Sequence, residues 1–424
     1  MDIQYRIQGG IPLKGDVHLS GSKNAVLPLI AASVLTSGET VLMNVPWLRD
    51  VKAMLAILEF LGAETSSHEG TVRIRTEKLQ NKPIPCELVS RLRGSIVLLG
   101  PLLARFGIVE MAYPGGCVLG KRPVDAHLAA LAQLGAVDMS SSENVLHLQG
   151  DLRAGRIVLP EFSVTATENA ILAAAAIPGE TLIELAAAEP HVQEVERMVQ
   201  AMGAEVSGIG THSVTVRGNK YLKPVTHTVT TDYLEAGAFI TAGILTGGKI
   251  RIHGIEESHL LAFLNVISRM GAVTKYDPEA KTLFVDGEIS SLRGAKVQTN
   301  IFPGFPTDLL PPVGVLMTQA KGVSRIFECL YEGRMAYLYE LEKMGAQIEV
   351  LNSHQALIIG PARLKGRQVA SNDIRAGAAM VLAALCAEGE TVVTDVRYIE
   401  RGYDHMNEKL QSLGAKIQKI ETGE

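Results

Sequence analysis

One phrase recurs six times along this chain: an amphipathic helical stretch ending in Leu-Gly-Ala or Met-Gly-Ala, then a short alternating strand. Its glycines are Gly62, Gly135, Gly203, Gly271, Gly345 and Gly414. They lie roughly 70 residues apart, a period that marks one supersecondary unit used repeatedly. In the first copy, Asn24–Leu35 reads as an apolar helix with Ser20 or Ser22 as its cap. The turn Gly38-Glu39-Thr40 leads into a strand over Val41–Val45, and the same Gly-Glu-Thr returns at Gly179 and Gly389. Asp50 then precedes Val51, Met54, Leu55, Leu58 and Leu61, apolar residues at helical spacing. Gly62 stops that helix, and a hairpin follows whose second strand alternates over Thr71–Arg75. The predicted unit is helix, strand, helix, strand, strand, an α/β arrangement.

A chain of 424 residues is long for one core. The last copy stops at Ile417–Ile420 without the second strand of its hairpin. At the other end, Arg6-Ile7-Gln8-Gly9 with Leu13-Lys14-Gly15 reads like Leu357-Ile358-Ile359-Gly360 with Leu364-Lys365-Gly366. Residues 1–21 are therefore expected to complete the sixth copy. Three copies would form a first lobe over residues 22–230, and the other three, with residues 1–21, a second lobe over 231–424. Two crossings between lobes favour a hinge and a cleft. The net charge of −5 argues against a general nucleic-acid binder. No apolar run is long enough for a bilayer, and the start lacks the pattern of a signal peptide. Cys86, Cys117, Cys329 and Cys386 show no CxxC spacing, which fits a reducing cytoplasm. P-loop, GxGxxG, HExxH and clustered His/Cys patterns are absent, so neither a metal nor an organic cofactor is expected.

Chemistry belongs where the copies differ. At the first-helix starts stand Lys23, Arg93, Thr167, Tyr233, Asp308 and Arg375; near the second-helix starts stand Asp50, Arg122, His191, Ser258, Arg334 and Arg401. A cation at an exposed helix N-terminus opposes the dipole at a cost of about 0.3–1 kcal/mol. One such residue reads as a solvated surface charge. Lys23, Arg93, Arg122, Arg334, Arg375 and Arg401 together read as a site for a ligand with several negative charges. Asp308 follows the stiff segment Phe302-Pro303-Gly304-Phe305-Pro306-Thr307 and reads either as an N-cap or as a general base among cations. Cys117 sits in the glycine-rich stretch from Tyr113 to Pro123, where Lys121 and Arg122 favour a reactive thiolate. The other three cysteines read as passive small hydrophobes, and Trp47 as packing. His127, just after the Cys117 loop, is the one histidine near this chemistry.

Four segments carry a resemblance: Ser20-Gly21-Ser22-Lys23-Asn24-Ala25, the loop from Pro114-Gly115-Gly116-Cys117 through Arg122-Pro123-Val124-Asp125, Phe305-Pro306-Thr307-Asp308, and Ile399-Glu400-Arg401-Gly402-Tyr403. Over nearly its whole length the chain resembles the UDP-N-acetylglucosamine 1-carboxyvinyltransferases, a family of enolpyruvyl transferases. The cysteine loop is specific to that family; the repeat is shared with the shikimate-pathway enolpyruvyl transferase. The resemblance implies a two-domain inside-out α/β barrel, three repeats per lobe with helices at the centre, closing on substrate. It implies transfer of the enolpyruvyl group of phosphoenolpyruvate to UDP-N-acetylglucosamine, the first committed step of peptidoglycan synthesis. These two small molecules would be the only partners, without nucleic acid, membrane or a required protein. Lys23, Arg122 and Arg401 would bind phosphoenolpyruvate, with Arg334 and Arg375 nearby. Asn24, Arg93, Arg122, Pro123, Val124, Asp125, Ala126, Ser163, Val164, Asp308 and Leu330 would hold the sugar nucleotide. Cys117 would be the general acid and the residue that forms a phosphoenolpyruvate adduct; Asp308 would take the sugar hydroxyl proton. The chain departs from the family pattern at Phe162, Thr165, Leu310 and Gly333, where Pro, Gly, Gln and Asn are usual. The competing readings are the shikimate-pathway relative and a non-catalytic binding module built from the same repeats.

Overall fold

The first helix of each repeat is apolar on every face, the pattern of a helix with no solvent side. In the computed structural model, which describes residues 2–115 and 123–422, these helices are buried over most of their length, with half-buried residues confined to their ends. They are Lys23–Ala32, Leu99–Phe106, Val164–Ala176, Tyr233–Leu245, Leu310–Gln319 and Ile374–Cys386. The second helices are amphipathic. Arg49–Phe60 buries Val51, Met54, Leu55 and Leu58 and leaves its other side toward water. All six repeat glycines adopt left-handed backbone, with φ between +95° and +113°, which ends each second helix where a residue with a Cβ would be strained. That shared requirement is why the phrase repeats.

The chain divides into two compact units among the described residues: 21–115 with 123–230, and 2–20 with 231–422. Each has its own core. Leu29, Ile30, Ile171 and Leu172 lie in the first, and Phe239, Ile240, Leu316 and Met380 in the second. Among the described residues the strands form six separate sheets, five of four strands and one of three.

The repeat contains one strand more than predicted. Short parallel strands precede the inner helices: Lys14–His18, Arg156–Val158, Thr226–Thr228, Lys296–Gln298 and Gln368–Ala370. In the second copy a single parallel bridge, Ile84 to Met111, takes this place. The unit is therefore strand, helix, strand, helix, strand, strand. Most of the added strands are three residues long, too short for alternation to show in a sequence.

The N-terminal segment also differs from the expectation. Asp2–Gln8 lies antiparallel between Glu390–Thr394 and Lys416–Thr422, and so fills the gap in the sixth copy. Lys14–His18, however, joins the fourth copy, parallel to Lys249–His253. Reciprocally, Thr226–Thr228, just before the second crossing, pairs with the first copy at Val41–Met43. Each unit thereby keeps within itself the edge strand that its own sheets need.

Three side-chain readings are corrected. Cys86 and Cys329 are exposed rather than packed as small hydrophobes; Cys386 is half-buried, and burial pushes its thiol up to about 12. Trp47 is 42% exposed, with the Lys52 ammonium 5.1 Å from its ring centroid. Arg401 ends the 3-10 turn Val396–Arg401 and does not begin a helix; the following helix starts at Met406. Among the described residues no helix is long and apolar enough to cross a membrane.

Candidate active site

Asp308 sits in the 3-10 turn Thr307–Leu309 that leads into the inner helix Leu310–Gln319. Its Oδ1 accepts from Arg334 Nη2 at 2.7 Å and its Oδ2 from Arg375 Nε at 2.9 Å. Both arginine side chains are 4% exposed, whereas the Asp308 side chain is 26% exposed. The carboxylate is thus the open edge of a buried cationic pair. Arg375 is held by its own helix start: Asp373 caps Ile374–Cys386, its Oδ1 accepting from Arg375 N at 2.7 Å and Ala376 N at 2.9 Å. Burial opposes the charge on Arg375, yet Tyr403, Asp308 and Asp232 outweigh it and hold the guanidinium above its ordinary pKa. The Tyr403 ring lies under that guanidinium, 5.3 Å from its centroid. Arg334 Nε is buried without a hydrogen-bond partner among the described residues, a donor to spare that is costly to leave unpaired. Gly402 presses against the start of the same helix. A Cβ there would stand 2.1 Å from Ile374 Cγ2 and 3.8 Å from Arg375 Nη1, so only glycine lets the Arg401–Gly402 backbone come this close.

Glu328 organises this region and was not singled out in the sequence. It is fully buried. Its Oε1 accepts from Thr299 Oγ1 at 3.0 Å, Leu330 N at 2.7 Å and Tyr331 N at 3.1 Å; its Oε2 accepts from Thr307 Oγ1 at 2.7 Å. One carboxylate therefore fixes both the residue before Asp308 and the turn that presents Leu330, which is 40% exposed. No local signal marks Glu328, because its partners converge only once three segments have folded together.

In the other unit, Lys23 opens the helix Lys23–Ala32, which Ser22 caps by accepting from Ala25 N at 3.3 Å. The Lys23 ammonium lies 2.9 Å from Asp50 Oδ2, with the two side chains 10% and 3% exposed. Lys23 is therefore a buried, paired cation and not a solvated charge; Asn24, next to it, is half-buried. Arg93 donates to Pro114 O at 3.0 Å and Pro123 O at 3.3 Å, tying together the described residues on either side of 116–122. The readings of Cys117, Lys121 and Arg122 fall outside the described residues. Pro123 and Val124 lead into the helix Asp125–Gln133, with Val124 and Ala126 buried and Asp125 exposed.

Ser163 caps the inner helix Val164–Ala176, its Oγ accepting from Ala166 N at 3.4 Å. Beside it Phe162 is 38% exposed, edge-on to His212 at 4.8 Å between centroids. One turn along, His127 stands between Thr165 and Asn169: Nε2 is 3.0 Å from Thr165 Oγ1 and Nδ1 is 2.7 Å from Asn169 Nδ2. Burial, and then the charge of Arg93, push the His127 pKa down to about 3, so the ring is neutral. Asn169, a second residue missed in the sequence, sits in an alanine-rich helix with nothing local to distinguish it. Among the described residues no group of three or more His, Cys, Asp or Glu side chains is arranged to hold a metal ion.

The chain is similar to known proteins over its full length. The sequence profile of the family described as EPSP synthase (3-phosphoshikimate 1-carboxyvinyltransferase) matches residues 7–410. The UDP-N-acetylglucosamine 1-carboxyvinyltransferase of Treponema denticola is 39% identical over 422 residues, covering 98% of this chain and 99% of the relative. That of Magnetococcus marinus is 40% identical over 415 residues, covering 98% of each. Among solved structures, the enolpyruvyl transferase NikO from Streptomyces tendae superposes with a TM-score of 0.90 at 23% identity, covering all of both chains. The EPSP synthase from Acinetobacter baumannii superposes with a TM-score of 0.77 at 19% identity, covering 99% of this chain and 100% of the other. At those identities the two structures speak for the fold alone.

Proposed function

The chain belongs to the carboxyvinyltransferase family, and from that membership we propose that it transfers the enolpyruvyl group of phosphoenolpyruvate to the 3-hydroxyl of UDP-N-acetylglucosamine and releases phosphate. This is the first committed step of peptidoglycan synthesis, carried out in the cytoplasm. The reading is supported above all by relatives of that name at 39% and 40% identity over 98% of the chain. The clamp of Asp308 between Arg334 and Arg375 adds chemistry that suits it.

The donor carries a carboxylate and a phosphate, so it needs cations from several directions. Lys23, Arg122 and Arg401 are assigned to it, with Arg334 and Arg375 close by. Asn24, Arg93, the turn from Arg122 through Ala126, Ser163, Val164 and Leu330 are assigned to the sugar nucleotide. Cys117 gives its thiol proton to the donor's methylene carbon, which leaves the adjacent carbon cationic. The sugar 3-hydroxyl oxygen bonds to that carbon while its proton passes to Asp308. The resulting ketal returns a proton from its new methyl group to the Cys117 thiolate as the carbon–oxygen bond to phosphate breaks, which restores the double bond, and the proton held by Asp308 leaves with the phosphate. Both Asp308 oxygens are engaged by guanidiniums. An arriving anion competes for those same groups, and each contact it takes over frees a carboxylate oxygen to accept a proton.

The test is phosphate release by the purified protein with phosphoenolpyruvate and either UDP-N-acetylglucosamine or shikimate 3-phosphate. Turnover with the sugar nucleotide alone is expected. Turnover with shikimate 3-phosphate instead, the substrate class in the description of the matching family, would move the chain to that branch. No turnover with either would leave a binding module. The thiol assignment has its own check: the epoxide phosphonate fosfomycin should add covalently to the peptide containing Cys117, as read by peptide mass.

A further inference from the structure

We propose that Glu328 is a positioning residue for the reaction: its two carboxylate oxygens set the spacing between the Asp308 carboxylate and the Arg334 guanidinium. The inference rests on the base role proposed above for Asp308.

Glu328 follows the strand Gly322–Phe327 and is fully buried. Among the described residues its side chain is hydrogen-bonded by neutral donors only, two hydroxyls and two backbone N–H groups. The direction of one hydroxyl is settled by its other partner. Thr299 Oγ1 accepts from Cys329 N at 2.8 Å, so its hydrogen is left for Glu328 Oε1, 3.0 Å away. A carboxylate is a costly core filler, and an apolar side chain of similar volume is often no less stabilising. What the converging donors supply is a single fixed geometry.

That geometry leads to both members of one ion pair. Oε2 holds Thr307 Oγ1 at 2.7 Å, and Thr307 opens the 3-10 turn whose next residue is Asp308. Oε1 holds Tyr331 N at 3.1 Å, and Tyr331 O in turn accepts from Arg334 N at 3.1 Å in the turn Glu332–Ala336. The carboxylate and guanidinium that meet at 2.7 Å are therefore hung from opposite sides of one side chain. Arg375, on the other oxygen of Asp308, belongs to a separate helix start with its own support in Asp373. Of the two guanidiniums on the base, Arg334 alone has its distance set by Glu328. A reacting group works through its position, and a displacement of about 1 Å costs on the order of 100-fold in rate. The two oxygens also divide the work. Leu330 N, on Oε1 at 2.7 Å, belongs to the turn assigned to the sugar nucleotide, so losing the Thr307 contact disturbs the base and leaves that turn in place.

The experiment measures turnover, and UDP-N-acetylglucosamine binding by calorimetry, for the full-length protein and its T307V and T307S variants, each also combined with D308N. Thr307 is half-buried, so the near-isosteric T307V removes the hydrogen bond without emptying a core site. T307V should lower turnover about 10-fold to 100-fold, with UDP-N-acetylglucosamine affinity within a few-fold of the parent and T307S close to the parent. In the D308N background the same change should cost less than about 2-fold, because the group it positions no longer takes a proton. Parental turnover in T307V, or an equal factor lost in both backgrounds, would overturn the inference while leaving the proposed function standing. A loss of affinity as large as the loss of turnover would make Thr307 a substrate contact and overturn it as well. Should T307V not fold, as read by circular dichroism, T307A gives the same comparison by removing atoms alone. E328Q separates position from charge. Its amide oxygen can take the three donors of Oε1, and the Thr307 hydroxyl can turn to accept from the amide N–H. Turnover within a few-fold of the parent is expected; a loss as deep as that of T307V would assign the effect to charge and overturn the positioning role. Failure of the parent protein to turn over UDP-N-acetylglucosamine would overturn the proposed function and this inference with it.

Discussion

Asp308 faces two buried guanidiniums and keeps a quarter of its side-chain surface in water. Truncating it to alanine would take from both buried cations the carboxylate they share, and breaking a buried ion pair costs about 3–5 kcal/mol, enough to confuse catalysis with folding. Asp308→Asn is the cleaner substitution. It keeps an acceptor for one arginine but cannot take a proton. Turnover should fall by roughly 100-fold to 10,000-fold, the span of general-base contributions, with affinity for UDP-N-acetylglucosamine within a few-fold of the parent. Steady-state kinetics beside calorimetry would separate the two effects. A second acid shows burial acting on stability. Glu196, on the helix Pro190–Met202, accepts among the described residues only from Gly210 N, at 3.3 Å, and burial raises its pKa to about 7. The native state keeps this proton up to about pH 7, whereas the unfolded chain loses it near the ordinary value of 4.5, so stability falls as pH rises through that window. Glu196→Gln should match the parent near pH 4 and exceed it above pH 7 by on the order of 1–3 kcal/mol, measured as thermal midpoints across pH.

At the scale of elements, the repeat glycines, the inner helices and the residues that break the pattern at helix starts were legible because six copies supply their own comparison. Lys23, Arg334 and Arg375 stood out as cations where a helix start favours acids, and Asp308 as the one acid among the first-helix starts; the structure brings Asp308, Arg334 and Arg375 together. What stayed hidden depends on pairing between distant segments. The three-residue edge strands have no readable alternation, and Lys14–His18 finds its partner more than two hundred residues away. Glu328 and Asn169 owe their roles to neighbours that only the folded chain supplies. Close packing of elements leads to a sharper expectation. Gly218 ends the strand Ser213–Gly218 where it crosses the end of the helix Val164–Ala176, and a Cβ there would stand 2.1 Å from both Ala174 O and Ile177 O. Gly360 and Gly9 make the same crossing over their own inner helices, at 2.4 Å from Ala320 O and 2.1 Å from Ala387 O. Gly218→Ala must push the strand outward, an overpacking cost of about 1–3 kcal/mol that should appear as a lowered thermal midpoint without loss of the remaining sheets.

At the scale of the whole molecule, the exchanged edge strands decide what can fold alone. Residues 21–230 contain every strand of their three sheets, including Thr226–Thr228. Expressed by itself, that segment should give a cooperative melt by circular dichroism. Residues 231–424 lack Asp2–Gln8 and Lys14–His18, which belong to two of their sheets, and should melt broadly or not accumulate. Joining residues 2–20 to the end of that segment through a flexible linker should restore the sharp transition.

The pairing of Asp2 with Thr422 bears on how the protein is born. Asp2–Gln8 is synthesised nearly four hundred residues before Glu390–Thr394 and Lys416–Thr422, the two strands it lies between, and has no sheet to join until they follow. The unit over residues 21–230 can finish its own core in that interval, while this partly apolar strand waits unpaired. Synthesis of the intervening segment therefore leaves a strand edge exposed throughout, and chaperones that shield nascent strands have that whole interval in which to act.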